Sequence, residues 1–255
     1  MSKFGIVAAL ALASVSSMAF EAVASPPRFE LNAKAGQTVR SVFELTNAGK
    51  RREVYTLKTM DWTFSKDAAV QMQDALVENS CRPWVKIERP SITLNSGQKY
   101  RYRFEVTVPE GAPASECRFL VAIDGDAQAV VGGPPVAGRL GIVVYVNVSG
   151  GKPNLVMGAM SLQDQNGQKT PSILVNNTGT AHGRLSGFLK LKDATGKVFD
   201  ISPSTFPILP GESRSIFFQP ETDADLWPKI SYPVEVTGDL EWDGGKWKVN
   251  STIQK

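Results

Sequence analysis

Apolar and polar positions alternate along most of this chain, and the alternation is clearest from Arg139 to Val148. There Leu140, Ile142, Val144, Val146 and Val148 hold every even position, while the odd positions mix charge, glycine, apolar and amide side chains. Successive side chains of a strand point to opposite faces, so this period predicts a strand with one continuous apolar stripe. Val143 and Tyr145 would meet whatever covers the other face, so the strand can serve two cores. The same period of two recurs at Val39, Ser41, Phe43 and Leu45, at Tyr102, Phe104, Val106 and Val108, at Phe119, Val121 and Ile123, and around Leu185, Leu189 and Leu191. Strands of this length separated by Gly, Pro, Asn and Asp predict an all-β protein of sandwich type. One stretch departs from the pattern. Asp67 to Val77 is the one candidate for a short helical stretch, and its mixed apolar spacing makes it an insertion between strands rather than a core element.

The strands fall into two similar sets. Ser41-Val-Phe-Glu-Leu-Thr-Asn47-Ala-Gly49 resembles Ser172-Ile-Leu-Val-Asn-Asn177-Thr-Gly179, and Ile92 to Phe104 is echoed by Ile208 to Phe217 around the turn glycines Gly97 and Gly211. Two copies in the same order predict tandem sandwiches over 25–149 and 153–255. The 139–148 strand closes the first set, directly before Ser149-Gly150-Gly151-Lys152-Pro153, which makes it a candidate edge strand at the junction. An exposed apolar edge is a hazard unless the protein exists to pair it with another chain.

The beginning of the chain bears on its compartment. Lys3, an apolar stretch from Phe4 to Ala13, small residues, and Ala22-Val23-Ala24 before Ser25 have the regions of a secretory signal peptide, with cleavage expected after Ala24 and residues 1–24 removed. The first cysteine is Cys81, so no lipid anchor is expected, and no later segment reaches the ~20 apolar residues that span a bilayer. In an exported chain the two cysteines, Cys81 and Cys117, are expected to pair with each other.

Composition excludes more than it suggests. With 28 basic and 25 acidic residues the net charge is +3, too balanced for a dedicated nucleic-acid binder. Lys99, Arg101 and Arg103 alternate with Tyr100, Tyr102 and Phe104, as on the solvated face of a strand. No catalytic, metal-binding or cofactor constellation emerges. His182 sits in a turn-like stretch without an acid partner or nucleophile elbow and is expected at the surface. Gly132-Gly133-Pro134-Pro135 lacks the lysine and helix of a phosphate loop and is expected to be a flexible loop. Asp124 with Asp126, and Asp223 with Asp225, lack the spacing of a calcium loop. Trp227, Trp242 and Trp247 could serve a glycan-binding accessory protein, but core packing is the expectation for them.

The order of these features resembles the periplasmic pilus-assembly chaperones. The resemblance rests on Ala35-Gly36-Gln37-Thr38 leading into Phe43-Glu44-Leu45-Thr46-Asn47, on Trp84 to Gln98 with its Pro90, Leu94 and Gly97, on the Cys117-Arg118-Phe119 strand, and on the 139–148 strand, linker and second sandwich. It implies an all-β, non-enzymatic periplasmic protein of two tandem immunoglobulin-like domains, without cofactor, that lends the last strand of its first domain to an unfinished pilus or fimbrial subunit and works with an outer-membrane usher. The stripe Leu140, Ile142, Val144 and Val146 would then enter the subunit's groove, leaving Val143 and Tyr145 to the protein's own packing. The subunit's terminal carboxylate would be held by two basic residues on the first and last strands of domain 1. Counting back from Asn47 through Gly36 puts the first-strand position near Leu31, three residues from Arg28; Arg139 is the candidate on the last strand. The rival expectations are a structural pilus or surface sandwich protein and a periplasmic glycan-binding accessory protein.

Overall fold

A computed structural model describes residues 20–65, 69–130, 133–165, 167–221, 227 and 229–255. The apolar stretch Phe4 to Ala13 read as part of a signal peptide lies outside the described residues. The first unit contains β1 (Ala22–Ser25), β2 (Arg28–Ala33), β3 (Thr38–Asn47), β4 (Glu53–Phe64), β5 (Val70–Gln73), β6 (Val85–Ile87), β7 (Ser91–Leu94), β8 (Lys99–Thr107), β9 (Glu116–Gly125), β10 (Gln128–Val130), β11 (Gly133–Val136) and β12 (Arg139–Val148). One sheet has the order β1-β3-β8-β6 and the other β2-β12-β9-β4-β5, with β7 also on β4. Their inner faces meet as the alternation requires: Phe43 and Leu45 on β3, and Tyr102, Phe104 and Val106 on β8, pack with Leu57, Phe119, Val121 and Ile123 from the facing sheet.

The second unit contains β13 (Leu155–Gln165), β14 (Gln168–Asn177), β15 (Leu189–Lys192), β16 (Val198–Pro203), β17 (Ser213–Pro220), β18 (Val234–Trp242) and β19 (Gly245–Ile253). They run β13-β14-β17-β16-β15-β18-β19, and β13 returns beside β19, so the sheet curls round its own core. That core holds Ile173, Val175, Leu189, Leu191, Phe218 and Val236. Trp227, Trp242 and Trp247 pack against it rather than forming an exposed aromatic cluster. The all-β, two-sandwich architecture expected from the alternation is the one the chain adopts.

The sequence repeat has a physical basis in two buried asparagines. The side-chain amide of Asn47 donates to the carbonyls of Arg51, 2.7 Å, and Leu94, 3.1 Å, while its oxygen accepts from the Gly49 N–H. The Asn177 amide donates to Ala181, 2.8 Å, and Ile208, 2.9 Å, and its oxygen accepts from the Gly179 N–H. In each domain the asparagine carbonyl also accepts from the N–H of a glycine at positive φ, Gly97 at 70° and Gly211 at 75°. Each asparagine therefore pins two turns together at one end of its sandwich, and only a primary amide offers both donors and an acceptor there.

Two expectations are corrected. The described part of the Asp67–Val77 stretch is not helical: Val70–Gln73 is strand β5, hydrogen-bonded to the end of β4 from Asp61 to Phe64, so local spacing yielded to a hairpin partner. Gly133–Val136 is not an unstructured loop but strand β11, paired with β10. The Cys81–Cys117 disulfide is formed as expected, with the two Cα atoms 5.4 Å apart.

The outer face of the larger domain 1 sheet is also covered. Met60, Trp62, Leu120, Ala122 and Tyr145 form a third apolar cluster with Leu209 of the second domain. Trp62 meets Tyr145 edge-on at 5.6 Å, and Phe64 lies 4.5 Å from Phe206. The guanidinium of Arg214 sits over both Phe64 and Phe206, at 5.2 and 4.9 Å from the ring centres. The two sandwiches are thus joined through side chains as well as by the linker at 149–154.

Candidate functional site

Strand β12 is an edge for only half its length. On one side it pairs with β9 along 139–147; on the other, β2 runs parallel to it from Val143↔Arg28 to Val148↔Ala33. Arg139 to Ile142 have no ladder partner on that second side among the described residues. The Val143 N–H donates toward β2, to the Pro27 carbonyl at 3.3 Å, so by the alternation of a strand the N–H and C=O groups of Gly141 and Arg139 point to the same open side. The half-open strand presents those main-chain groups without disturbing the β9 ladder.

The side chains of β12 are arranged otherwise than the stripe suggested. Ile142, Val144 and Val146 are at most 1% exposed and belong to domain 1's own core; of the four residues assigned to a partner's groove, only Leu140 is half-buried. The assignment of Ile142, Val144 and Val146 to a groove on another chain is therefore corrected. Alternation defines two faces but not what covers each, and here the even face is covered by β3 and β8 of the same domain. The odd face is covered too: Tyr145 is 3% exposed in the inter-domain cluster, beside Val143. The strand serves two cores, both within this chain.

The two candidate anchors lie apart. Arg139 makes a two-pronged ion pair with Asp124 directly across the β9 ladder, and this contact raises its pKa further above the ordinary arginine range. Arg28 is level with Val143, four residues along the strand and so ~13 Å from Arg139 at the rise of a strand. Each is paired with its own acid, Arg139 with Asp124 and Arg28 with Glu30.

Glu30, the partner of Arg28, lines a polar cleft of about 330 Å³ between the domains together with Glu116, Tyr145, His182 and Arg184 among others. His182 is not a surface residue; its side chain is 11% exposed. Its Nδ1 lies 2.6 Å from Glu116 Oε2, and because a carboxylate only accepts, Nδ1 carries the hydrogen. The His182 backbone N–H donates to Glu116 Oε1, and the Glu116 N–H donates to the Thr180 carbonyl, so one buried glutamate ties domain 1 to domain 2 three times. The His182 ring packs on Tyr145 at 4.2 Å.

Beside this tie, three groups converge on one oxygen. Arg28 Nε is 3.1 Å from Glu30 Oε1, and Arg184 Nη2 and His182 Nε2 are each 3.7 Å from the same atom. Burial lowers the Arg184 pKa, and the nearby positive charge of Arg28 lowers it further. Burial pushes the Tyr145 hydroxyl up to about 12, against the opposing pull of Arg184. The Nε atoms of Arg184 and of Arg118, which pairs across the ladder with Tyr145, are buried and have no hydrogen-bond partner among the described residues. Glu30 therefore supplies the carboxylate that Arg28, His182 and Arg184 face. Sequence reasoning found Arg28 but missed Glu30, Glu116 and Arg184, because nothing local marks residues brought together from two domains. Among the described residues no group of acidic, histidine and cysteine side chains could hold a metal ion, and no helix is long and apolar enough to cross a membrane.

No family model and no curated protein matches this sequence. Solved structures do resemble it. The YadV chaperone is 16% identical, with 91% of this chain and 99% of that one covered and a TM-score of 0.49. The Salmonella enterica SafA pilin in complex with the SafB chaperone is 12% identical, with coverage of 93% and 98% and a TM-score of 0.49. The CsuC–CsuE chaperone–tip subunit pre-assembly complex of Acinetobacter baumannii is 15% identical, with coverage of 91% and 97% and a TM-score of 0.46. Each of the three contains a chaperone, in two of them together with a pilin or tip subunit, and the likeness to them is one of fold.

Proposed function

We propose that this protein is an exported, non-enzymatic chaperone that holds pilus or fimbrial subunits by lending them a strand edge, and passes them to an outer-membrane usher. The observation that carries the reading is the half-open β12. Its Arg139–Ile142 half offers unpaired main-chain groups while Val143–Val148 is locked between β2 and β9. An incomplete sandwich can add itself to such an edge through main-chain hydrogen bonds, with specificity left to the few side chains that reach it. Leu140 is the side chain available for a groove, and Ile142, Val144 and Val146 brace the strand from within. A subunit's terminal carboxylate would be received in the inter-domain cleft by Arg28 and Arg184, with Arg139 fixed at the far end of the edge by Asp124.

Gly141→Pro tests the edge. It removes a main-chain donor on the open side and none from the β9 ladder, and the added Cβ would press on the far end of the flexible Met72 side chain while keeping ordinary contact with Leu120. The variant should be exported, keep a cooperative melt close to that of the wild type, and lose co-purification of a co-expressed pilus subunit that lacks its last strand. A folded Gly141→Pro protein that still retains the subunit would overturn the reading.

A further inference from the structure

We propose that the leader is cut between Ala19 and Phe20, so that Phe20 is the first residue of the exported protein. The expected cut after Ala24 falls inside β1. That strand pairs residue by residue with β3, from Ala22↔Asn47 to Ser25↔Glu44, and forms the outer strand of the smaller domain 1 sheet. Cutting after Ala24 would leave one of its four residues.

The segment before it is built in as well. Phe20, Ala22 and Ala24 pack against the domain 1 core, and the Phe20 ring meets Tyr55 edge-on at 6.1 Å. It lies over Gly125 and Gly138, where any Cβ would overlap it. The Ala48 N–H donates to the Glu21 carbonyl at 2.9 Å. A signal peptidase needs its substrate extended and unpaired, with small side chains one and three residues before the cut. Ser17 and Ala19 meet that need at the same spacing as Ala22 and Ala24, and lie closer to the apolar stretch ending at Ala13. In the step itself water adds across the Ala19–Phe20 amide: the C–N bond breaks, Ala19 leaves with a carboxylate, and Phe20 gains a free amino group.

The inference rests on the export reading, and one experiment distinguishes their failures. The full chain is expressed in a Gram-negative host, and the intact mass and N-terminal sequence of the osmotic-shock fraction are determined. The expected N-terminus is Phe-Glu-Ala-Val-Ala, and Ala19→Arg should leave the chain as uncut precursor in the membrane fraction. An N-terminus at Ser25 would overturn the inference while leaving export standing; a wild-type chain that is never cut would overturn both. As a second measurement, a form started at Ser25 behind an unrelated leader should melt below the Phe20 form. Equal melting temperatures would mean that β1 is dispensable and would also count against the inference.

Discussion

Replacing Ile142 with glutamate is the sharpest test of which way β12 faces. Ile142 is 1% exposed and packs in the core between the two sheets of domain 1. Losing its apolar burial costs roughly 1.5 to 3 kcal/mol. The carboxyl must also be kept neutral there, and protonating a glutamate of ordinary pKa at pH 7 costs about 4 kcal/mol. The sum, roughly 5 to 7 kcal/mol, is comparable to the whole stability of many domains, about 5 to 15 kcal/mol. The second contribution carries a pH signature. The glutamate's pKa is raised in the folded state, so the penalty is smallest below its unfolded value and grows by about 1.4 kcal/mol per pH unit above it. Urea unfolding of Ile142→Glu followed by circular dichroism should give a midpoint far below wild type at pH 7, with the gap narrowing by several kcal/mol at pH 4.5. Ile142→Leu should lose less than about 1.5 kcal/mol at either pH. A wild-type midpoint at pH 7 for Ile142→Glu would show that this side chain faces outward and would restore it to a partner's groove.

Asn47→Ala and Asn177→Ala each remove three side-chain hydrogen bonds to buried turns and should each cost ~3 kcal/mol at about 1 kcal/mol per bond, read as shifted urea midpoints with unchanged slope. Reduction of Cys81–Cys117 should lower stability by roughly 3 to 4 kcal/mol, the loop-closure entropy of a 36-residue separation, and a melt unaffected by reductant would contradict this. Tyr145, raised to about 12 from an unfolded value of 10, should remain protonated in the fold when unfolded chains ionise, so the stability tied to it is present below pH 10 and lost as pH rises to about 12. In Tyr145→Phe that part of the alkaline loss should disappear; an unchanged alkaline unfolding curve would refute it. Glu30→Gln should increase the retention of a subunit ending in a free carboxylate and leave unchanged that of a subunit whose C-terminus is amidated.

What the sequence revealed follows from what a local pattern can carry. The period of two located β3, β8, β9 and β12 but not the longer β4 and β13, and the Asn-x-Gly echo located β14 and the two equivalent staples, because both signals depend on residues close in sequence. The stripe at 140–148 was correctly read as serving two faces, but its destination depended on β3 and β8, which lie 30 to 110 positions away. His182 looked like a surface residue because its acid partner, Glu116, sits 66 positions earlier in the other domain. In the described part of the Asp67–Val77 stretch, β5 escaped notice because it is defined by its hydrogen bonds to β4 and not by its own alternation.

If the cleft receives a subunit's carboxylate as proposed, the presence of Glu30 in it changes which carboxylates can compete. Glu30 is held two residues from Arg28 on the same strand, so its local concentration at the cation pair is on the order of millimolar or above. A small carboxylate drifting through the compartment competes with that at a large disadvantage. A carboxylate at the end of a chain already paired along Arg139–Ile142 does not, because the strand that delivers it confers a similar proximity. The cleft would then act as a coincidence detector, ignoring loose anions and yielding only to a terminus that arrives attached to a fitting strand. Removing Glu30's charge would trade this discrimination for tighter binding.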